Sequence, residues 1–202
     1  MANQNQAIYN FSENPRAEGK VLILAIGGAG IPKTHQSINE NLKEALLLVP
    51  YLSDCAGRID YISLAQKDSA DLSMIEVANI SSTIQKYQNQ YDGFVVVAGT
   101  DTMPFTASST AYALRGMGTP VIFIGSALNV EEWDTDFRLN LPNAIKVATM
   151  GATDVNAPSF GEVGILFDDS LSRAVATINR GLRSNNPMIS PRVPRLGDVG
   201  WT

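Results

Sequence analysis

The sequence predicts an α/β domain, one open and largely parallel sheet with helices on both faces. Three observations carry that expectation. The runs Val21–Ile26, Phe94–Ala98 and Val163–Phe167 are continuously apolar rather than alternating, as in strands covered on both sides. Segments with helical spacing separate such runs, and alternating strands and helices imply parallel pairing through right-handed crossovers. A chain of 202 residues, 45% of them apolar, buries one substantial core and is short for two domains.

The elements follow in order. Residues 1–19 are rich in Asn and Gln, carry scattered charge and lack the apolar stretch of a secretory signal, so they read as a polar arm. Lys20 to Ile26 is the first strand, stopped by Gly27-Gly28. Ser37-Ile38-Asn39-Glu40 has capping-box spacing, Ile38, Leu42, Ala45, Leu46 and Val49 share a helical face, and Pro50 closes that helix. A strand is expected at Arg58 to Leu64, a helix between Asp71 and Gln90 on Leu72, Ile75, Ile80, Ile84 and Tyr87, and a strand at Phe94 to Ala98. The unit then repeats with a helix from Met103 to Arg115, a strand from Pro120 to Ile124, a helix from Leu139 to Met150 and a strand from Val163 to Phe167. The domain is therefore expected over residues 20–180. Residues 181–202, punctuated by Pro and Gly, read as an extended tail whose Arg183, Arg192 and Arg195, with Arg180 just before it, are locally basic.

Composition narrows the function classes. A net charge of −5 provides no large positive field, so nucleic acid is not the expected partner. The single cysteine, Cys55, and the single histidine, His35, exclude a disulfide framework and an ordinary zinc cluster, and this usage suits the cytoplasm. Asp168-Asp169 reads as a solvated turn rather than a metal site, so neither metal nor cofactor is expected. The longest near-apolar run, Val21 to Pro32, contains three glycines and falls short of the roughly 20 residues that span a bilayer, so no membrane association is expected.

Ligands of open α/β sheets bind beyond the carboxyl ends of the strands, which directs attention to loops 27–36, 65–71, 99–102 and 125–137. Gly27-Gly28-Ala29-Gly30 is a weak phosphate-turn candidate: Lys33 occupies the third glycine position and no Walker lysine follows, so a close-packed turn is the preferred reading. Gly99-Thr100-Asp101-Thr102-Met103 is more specific. It places two hydroxyls and a carboxylate between a buried strand and a helix with Pro104 in its first turn, more than a cap worth about 1 kcal/mol requires. His35 reads as a loop residue, and Trp133 and Trp201 as packing or interface anchors.

The stretch from Tyr91-Asp92-Gly93 through Gly99-Thr100-Asp101-Thr102-Met103, followed by Thr106-Ala107, closely resembles the second signature of the bacterial-type L-asparaginases and of the related transfer-RNA amidotransferase subunit, which usually have His where Ala98 stands. Val21 to Gly28 resembles that family's first strand and glycine pair, and Asp68-Ser69-Ala70-Asp71-Leu72 its substrate-binding Ser loop. Pro120 to Gly125 resembles its next strand, Asp136 and Asn140-Leu141 its Asp-Gly to Asn-Leu segment, and Ser190-Pro191 to Gly200 the end of its first domain. The resemblance runs from about residue 20 onward. It implies the family's amino-terminal domain, a flavodoxin-like open sheet, and none of its smaller second domain, which in a neighbouring subunit helps complete the pocket.

The same resemblance implies a threonine nucleophile where this chain has Ala29, and a lysine where it has Asn179. It implies that Thr100 contacts the reacting amide, Asp101 the substrate α-amino group and Ser69 the substrate carboxylate, with Gly28 in the glycine pair beside them. The family's mobile loop is shortened, since Ser37 opens the first helix eight residues after Ala29, and Leu128-Asn129-Val130 and Asp136-Phe137 replace Met-Arg-Pro and Asp-Gly. Three readings follow. The first is a catalytically degenerate relative acting in assembly, as a homo-oligomer or in a larger protein complex, with aspartate or asparagine held at Ser69, Thr100 and Asp101. The second is an active amidohydrolase on asparagine or a related amide, with Thr34 or Thr100 as nucleophile and Lys33 or Lys67 as base. The third is an amino-acid sensor.

Overall fold

The computed structural model of the protein describes residues 7–154, 160–181 and 186–199, the side chain of Ser69 excepted. Trp201 and Arg183, singled out above, lie outside these residues.

The chain runs β1 (Tyr9–Glu13), β2 (Lys20–Gly27), α1 (Ile38–Leu47), β3 (Arg58–Lys67), α2 (Met74–Tyr87), β4 (Gly93–Val97), α3 (Met103–Ala113), β5 (Val121–Ile124), α4 (Phe137–Thr153), β6 (Val163–Phe167), β7 (Ser170–Arg173), β8 (Ile178–Asn179), β9 (Met188–Ile189) and β10 (Gly197–Asp198). One eight-stranded sheet has the order β1-β3-β2-β4-β5-β6-β7-β10; β8 and β9 form a separate ladder. The five strands β3, β2, β4, β5 and β6 are mutually parallel, whereas β1, β7 and β10 join antiparallel at the edges. The expected α/β architecture is therefore the one found, except that α4 lies on the face opposite α3, so the β5–α4–β6 crossover has the opposite hand to the other three rather than the expected right-handed one.

Because successive strand side chains point to opposite faces, β2 serves two cores. Val21, Ile23 and Ala25 pack with Leu42 and Leu46 of α1 and Phe137 and Leu141 of α4. Leu22, Leu24 and Ile26 pack with Ile80 and Ile84 of α2 and Met103 and Ala107 of α3. Full burial of each such aliphatic side chain is worth about 1.5–3 kcal/mol, which explains why continuous apolar runs select the central strands.

Helix boundaries follow caps. Ser37 accepts from Glu40 N at 3.4 Å and opens α1, as its spacing predicts. The second helix starts at Met74 rather than near Asp71, because Ser73 and Glu76 form a complete capping box there. The fourth starts at Phe137, two residues earlier than expected, and contains Pro142.

The edges differ from the sequence reading in an instructive way. Residues 9–13, within the stretch read as a polar arm, pair with β3, with Tyr9 opposite Tyr61 and Asn10 opposite Asp60. Asp60 is fully buried and accepts from Asn10 Nδ2 at 2.9 Å, Arg58 Nε at 2.8 Å and Tyr91 OH at 2.7 Å, so one carboxylate joins β1, β3 and the residue preceding β4 by two. Burial and that hydrogen bond push the Tyr91 phenol well above its ordinary range. Within the stretch read as a tail, β10 pairs with β7, and Arg195 bridges Ser170 Oγ and Asp198. Asp168, at φ +58°, makes the tight turn between β6 and β7.

Strand order reverses between β2 and β4, which places a crevice beyond their carboxyl ends. Among the described residues, no helix is long and apolar enough to cross a membrane.

Candidate active site

At that crevice the loops leaving β2 and β4 touch. Gly27 and Gly28 have φ of +122° and +102°, and a Cβ on Gly28 would stand 2.7 Å from Gly99 N. A Cβ on Gly27 would stand 2.1 Å from Lys67 O. The glycine pair is thus a turn between backbones in direct contact, which no other residue fits.

A cleft of about 570 Å³ opens over this contact, a volume suited to a small ligand. One wall is Gly28, Ala29, Pro32 and Lys33 of the first loop; the floor is Gly99, Thr100 and Asp101; Asp68 and the segment from Ser126 to Glu131 complete it. Of the residues read from the sequence, Gly28, Ala29, Thr100 and Asp101 meet in this cleft. Asn179, on β8, does not line the cleft but braces its floor: its Nδ2 donates to Thr100 O at 2.9 Å and its Oδ1 accepts from Gly181 N at 2.8 Å. Ser69 opens a short helical turn next to Asp68, with its side chain outside the described atoms.

The walls are held by residues that sequence reasoning did not single out. Asn41, buried on α1, donates to His35 O at 3.0 Å and to Gln66 Oε1 at 2.8 Å, and accepts from His35 N at 2.6 Å. Gln66 Nε2 donates to Pro32 O at 2.9 Å, so α1 and β3 pin the first loop at two points. Val130 N donates to Ala29 O at 3.1 Å, tying that loop to the far wall. The one signal in the sequence was a polar residue, Asn41, on the apolar face of its helix beside Ile38, Leu42 and Ala45.

The far wall depends on Asp136. Its carboxylate accepts from Ser126 Oγ at 2.6 Å, Ala127 N at 3.0 Å and Leu128 N at 3.2 Å. Asn140, fully buried, donates to Gly125 O at 3.0 Å and Asp136 at 3.2 Å, and its Oδ1 accepts from Asp168 N at 2.9 Å. Both residues entered the sequence reading only through family resemblance; the geometry gives them a positioning role.

Charge in the cleft is mainly negative, from Asp68, Asp101 and Glu131, with Lys33 as the lining cation among the described residues. Lys33 Nζ lies 2.8 Å from Asp68 Oδ1 across the mouth, an exposed pair worth about 0.2–1 kcal/mol. Of the alternative nucleophile and base set, Lys33 and Thr100 line the cleft. Thr34 and Lys67 are directed elsewhere: the Thr34 hydroxyl bonds Glu44, which also faces His35 Nε2 at 3.2 Å, and Lys67 Nζ bonds Glu76 at 2.6 Å. Burial alone would raise the Glu76 carboxyl, but Lys67 and the Ser73 hydroxyl and N–H outweigh it and bring it down to about 2. Among the described residues there is no group of three or more potential metal ligands.

Chemically, the wall at position 29 offers a methyl group, and position 179 offers a carboxamide that neither takes nor gives a proton near neutrality. Thr100 supplies a hydroxyl whose unaided ionisation is negligible near neutral pH.

Comparison with known proteins agrees with this geometry. The family model described as "Asparaginase, N-terminal" matches residues 20–201. The chain is 33% identical over 196 residues to the 60 kDa lysophospholipase of Mus musculus, covering 92% of this chain and 33% of that protein. It is 35% identical over 133 residues to L-asparaginase 1 of Escherichia coli K12, covering 66% of this chain and 37% of that protein. Among solved structures, L-asparaginase I of Vibrio cholerae superposes with a TM-score of 0.75 at 26% identity, covering 92% of this chain and 55% of that one. The thermostable L-asparaginase of Thermococcus kodakarensis, at TM-score 0.77 and 21% identity over 90% of this chain and 54% of that one, shares the fold. The chain spans about a third of the length of these curated relatives.

Proposed function

Since the chain belongs to the asparaginase N-terminal family, we propose that it keeps the family's ligand cleft without its acyl-transfer chemistry, holding an amino-acid-sized ligand such as aspartate or asparagine and acting through assembly. The observation that carries this reading is Ala29: a side chain that ends at Cβ cannot form an ester with an incoming carboxamide. Asn179, whose amide bonds the Thr100 main-chain carbonyl, supports it by putting a side chain that cannot accept a proton where the family resemblance implies a lysine.

Binding does not need those groups. Asp101 offers a carboxylate to an α-amino group, Thr100 a hydroxyl to a side-chain amide or acid, and Ser69 belongs to the loop that would receive the α-carboxylate, with Gly28 keeping the wall thin enough for close approach. The names of two relatives, L-asparaginase 1 of Escherichia coli and a glutamyl-tRNA(Gln) amidotransferase component of Thermoplasma acidophilum, support ligands of the amino-acid class and membership of a larger assembly. The lone Cys55 suits a reducing compartment, and the cytoplasm is the location we propose.

The test is direct. Incubated with asparagine or glutamine, the purified protein is expected to release no ammonia above buffer. Millimolar aspartate is expected to raise its melting temperature, and Asp101→Ala to abolish that rise. Sustained turnover lost in Thr100→Ala would establish the active-amidohydrolase reading instead, and no ligand-dependent shift in the unmodified protein would remove the binding function.

A further inference from the structure

The charge of the cleft does not match an acidic ligand. Asp68, Asp101 and Glu131 against Lys33 leave its lining with two negative charges in excess among the described residues. Lys33 is already engaged, with Nζ 2.8 Å from Asp68 Oδ1 and so at the Ser69 end of the cleft. An ammonium has three donors, so Lys33 can keep Asp68 and still meet the α-carboxylate that the Ser69 loop would receive. The α-amino group goes to Asp101. With both backbone groups of the ligand placed, its side chain is left the wall formed by Ala29, Val130 and Glu131. Val130 N donates to Ala29 O at 3.1 Å, which puts Glu131 one residue from the contact between the two walls. Glu131 is exposed and has no hydrogen-bond or ion-pair partner among the described residues. No second lining cation stands there to meet a second carboxylate.

We infer that the cleft selects an amino acid whose side chain is a cation, and that Glu131 is the residue that selects it. The apolar stem of such a side chain packs on the Ala29 methyl while its charged tip pairs with the Glu131 carboxylate. A neutral carboxamide in the same place forgoes the charge-assisted bond, and a carboxylate meets an unopposed like charge. The cleft, at about 570 Å³, also has room for a side chain longer than that of asparagine. Because Glu131 stands in contact with water, the discrimination is graded rather than absolute, and aspartate is the weakest ligand of its size rather than an excluded one. This inference rests on the ligand half of the proposed function and names the class of ligand within it.

Three amino acids of nearly equal size isolate the effect: aspartate, asparagine and L-2,4-diaminobutyrate, whose side chains are negative, neutral and positive at neutral pH. Their affinities are measured by titration calorimetry at one fixed ionic strength. In the unmodified protein each step toward positive charge is expected to tighten binding about fivefold. Glu131→Gln is expected to keep the melting temperature, and to keep the asparagine affinity within about twofold, while the range from aspartate to diaminobutyrate shrinks from about 25-fold to about fivefold or less. The diamine 1,3-diaminopropane, which lacks the α-carboxylate, is expected to bind about tenfold or more weakly than diaminobutyrate, since it has nothing to offer Lys33. Equal or reversed affinities across the series, a range that survives Glu131→Gln, or equal binding of the diamine would each overturn the inference while leaving the cleft a binding site. Absence of binding by all three amino acids would remove the binding function itself, and this inference with it.

Discussion

Asn179 donates its side-chain amide to the main-chain carbonyl of Thr100 at 2.9 Å, so the short β8 strand fastens the floor of the crevice. The bond is neutral, and it occupies a position where the family resemblance implies a lysine.

Asn179→Ala is expected to cost about 1 kcal/mol and to lower the melting temperature by roughly 2–4 °C, read by calorimetry. Reintroducing chemistry needs two changes. Ala29→Thr alone is expected to leave ammonia release at the buffer baseline, whereas Ala29→Thr with Asn179→Lys is expected to raise it above baseline in a coupled assay, because a hydroxyl and a proton acceptor are then both present.

Glu76 makes stability depend on pH. Its folded value of about 2 lies below the ordinary 4.5, so between those values the unfolded chain binds a proton that the folded chain does not. Stability from this group is therefore full above about 4.5 and is lost as pH falls toward 2. The half-exposed Lys67 limits the loss to about 2 kcal/mol, and Glu76→Gln is expected to flatten the acid limb of a denaturation series by that amount.

Removing the Asp60 carboxylate strands three donors at once. Asp60→Ala is expected to destabilise the protein by about 2–4 kcal/mol, and hydrogen exchange is expected to accelerate first in β1, where Asn10 loses its partner. Asp60→Asn, which still accepts a bond, is expected to cost less than half as much.

Asp136→Ala is expected to loosen residues 126–128, since the N–H groups of Ala127 and Leu128 and the Ser126 hydroxyl converge on that carboxylate. Limited proteolysis between Ala127 and Asp134 is expected to speed up at least tenfold, with the aspartate-dependent thermal shift lost before the fold itself is.

The central strands were readable in the sequence because burial on both faces leaves an uninterrupted apolar run, and Gly28, Thr100 and Asp101 were readable together because strand ends at a switch point converge. Tyr9–Glu13 was not, since an edge strand with one polar side carries no such run and is fixed by Asp60, fifty residues away from Asn10. The polar edge segment Gly197–Asp198 escaped for the same reason. Asn41 showed only as a polar residue on an apolar helix face and Gln66 not at all, because what they do is grip carbonyls of a loop that no spacing rule connects to them. Asn179 was located by resemblance alone; its contact with Thr100 is a tertiary fact.

Because β1 caps β3, anyone trimming the amino terminus past Glu13 would bare a row of unpaired main-chain amides and carbonyls beside Ile59 and Tyr61. Such a ragged margin recruits strands from other molecules, so the shortened protein is expected to precipitate or fibrillise in storage although every side chain of the crevice is still present.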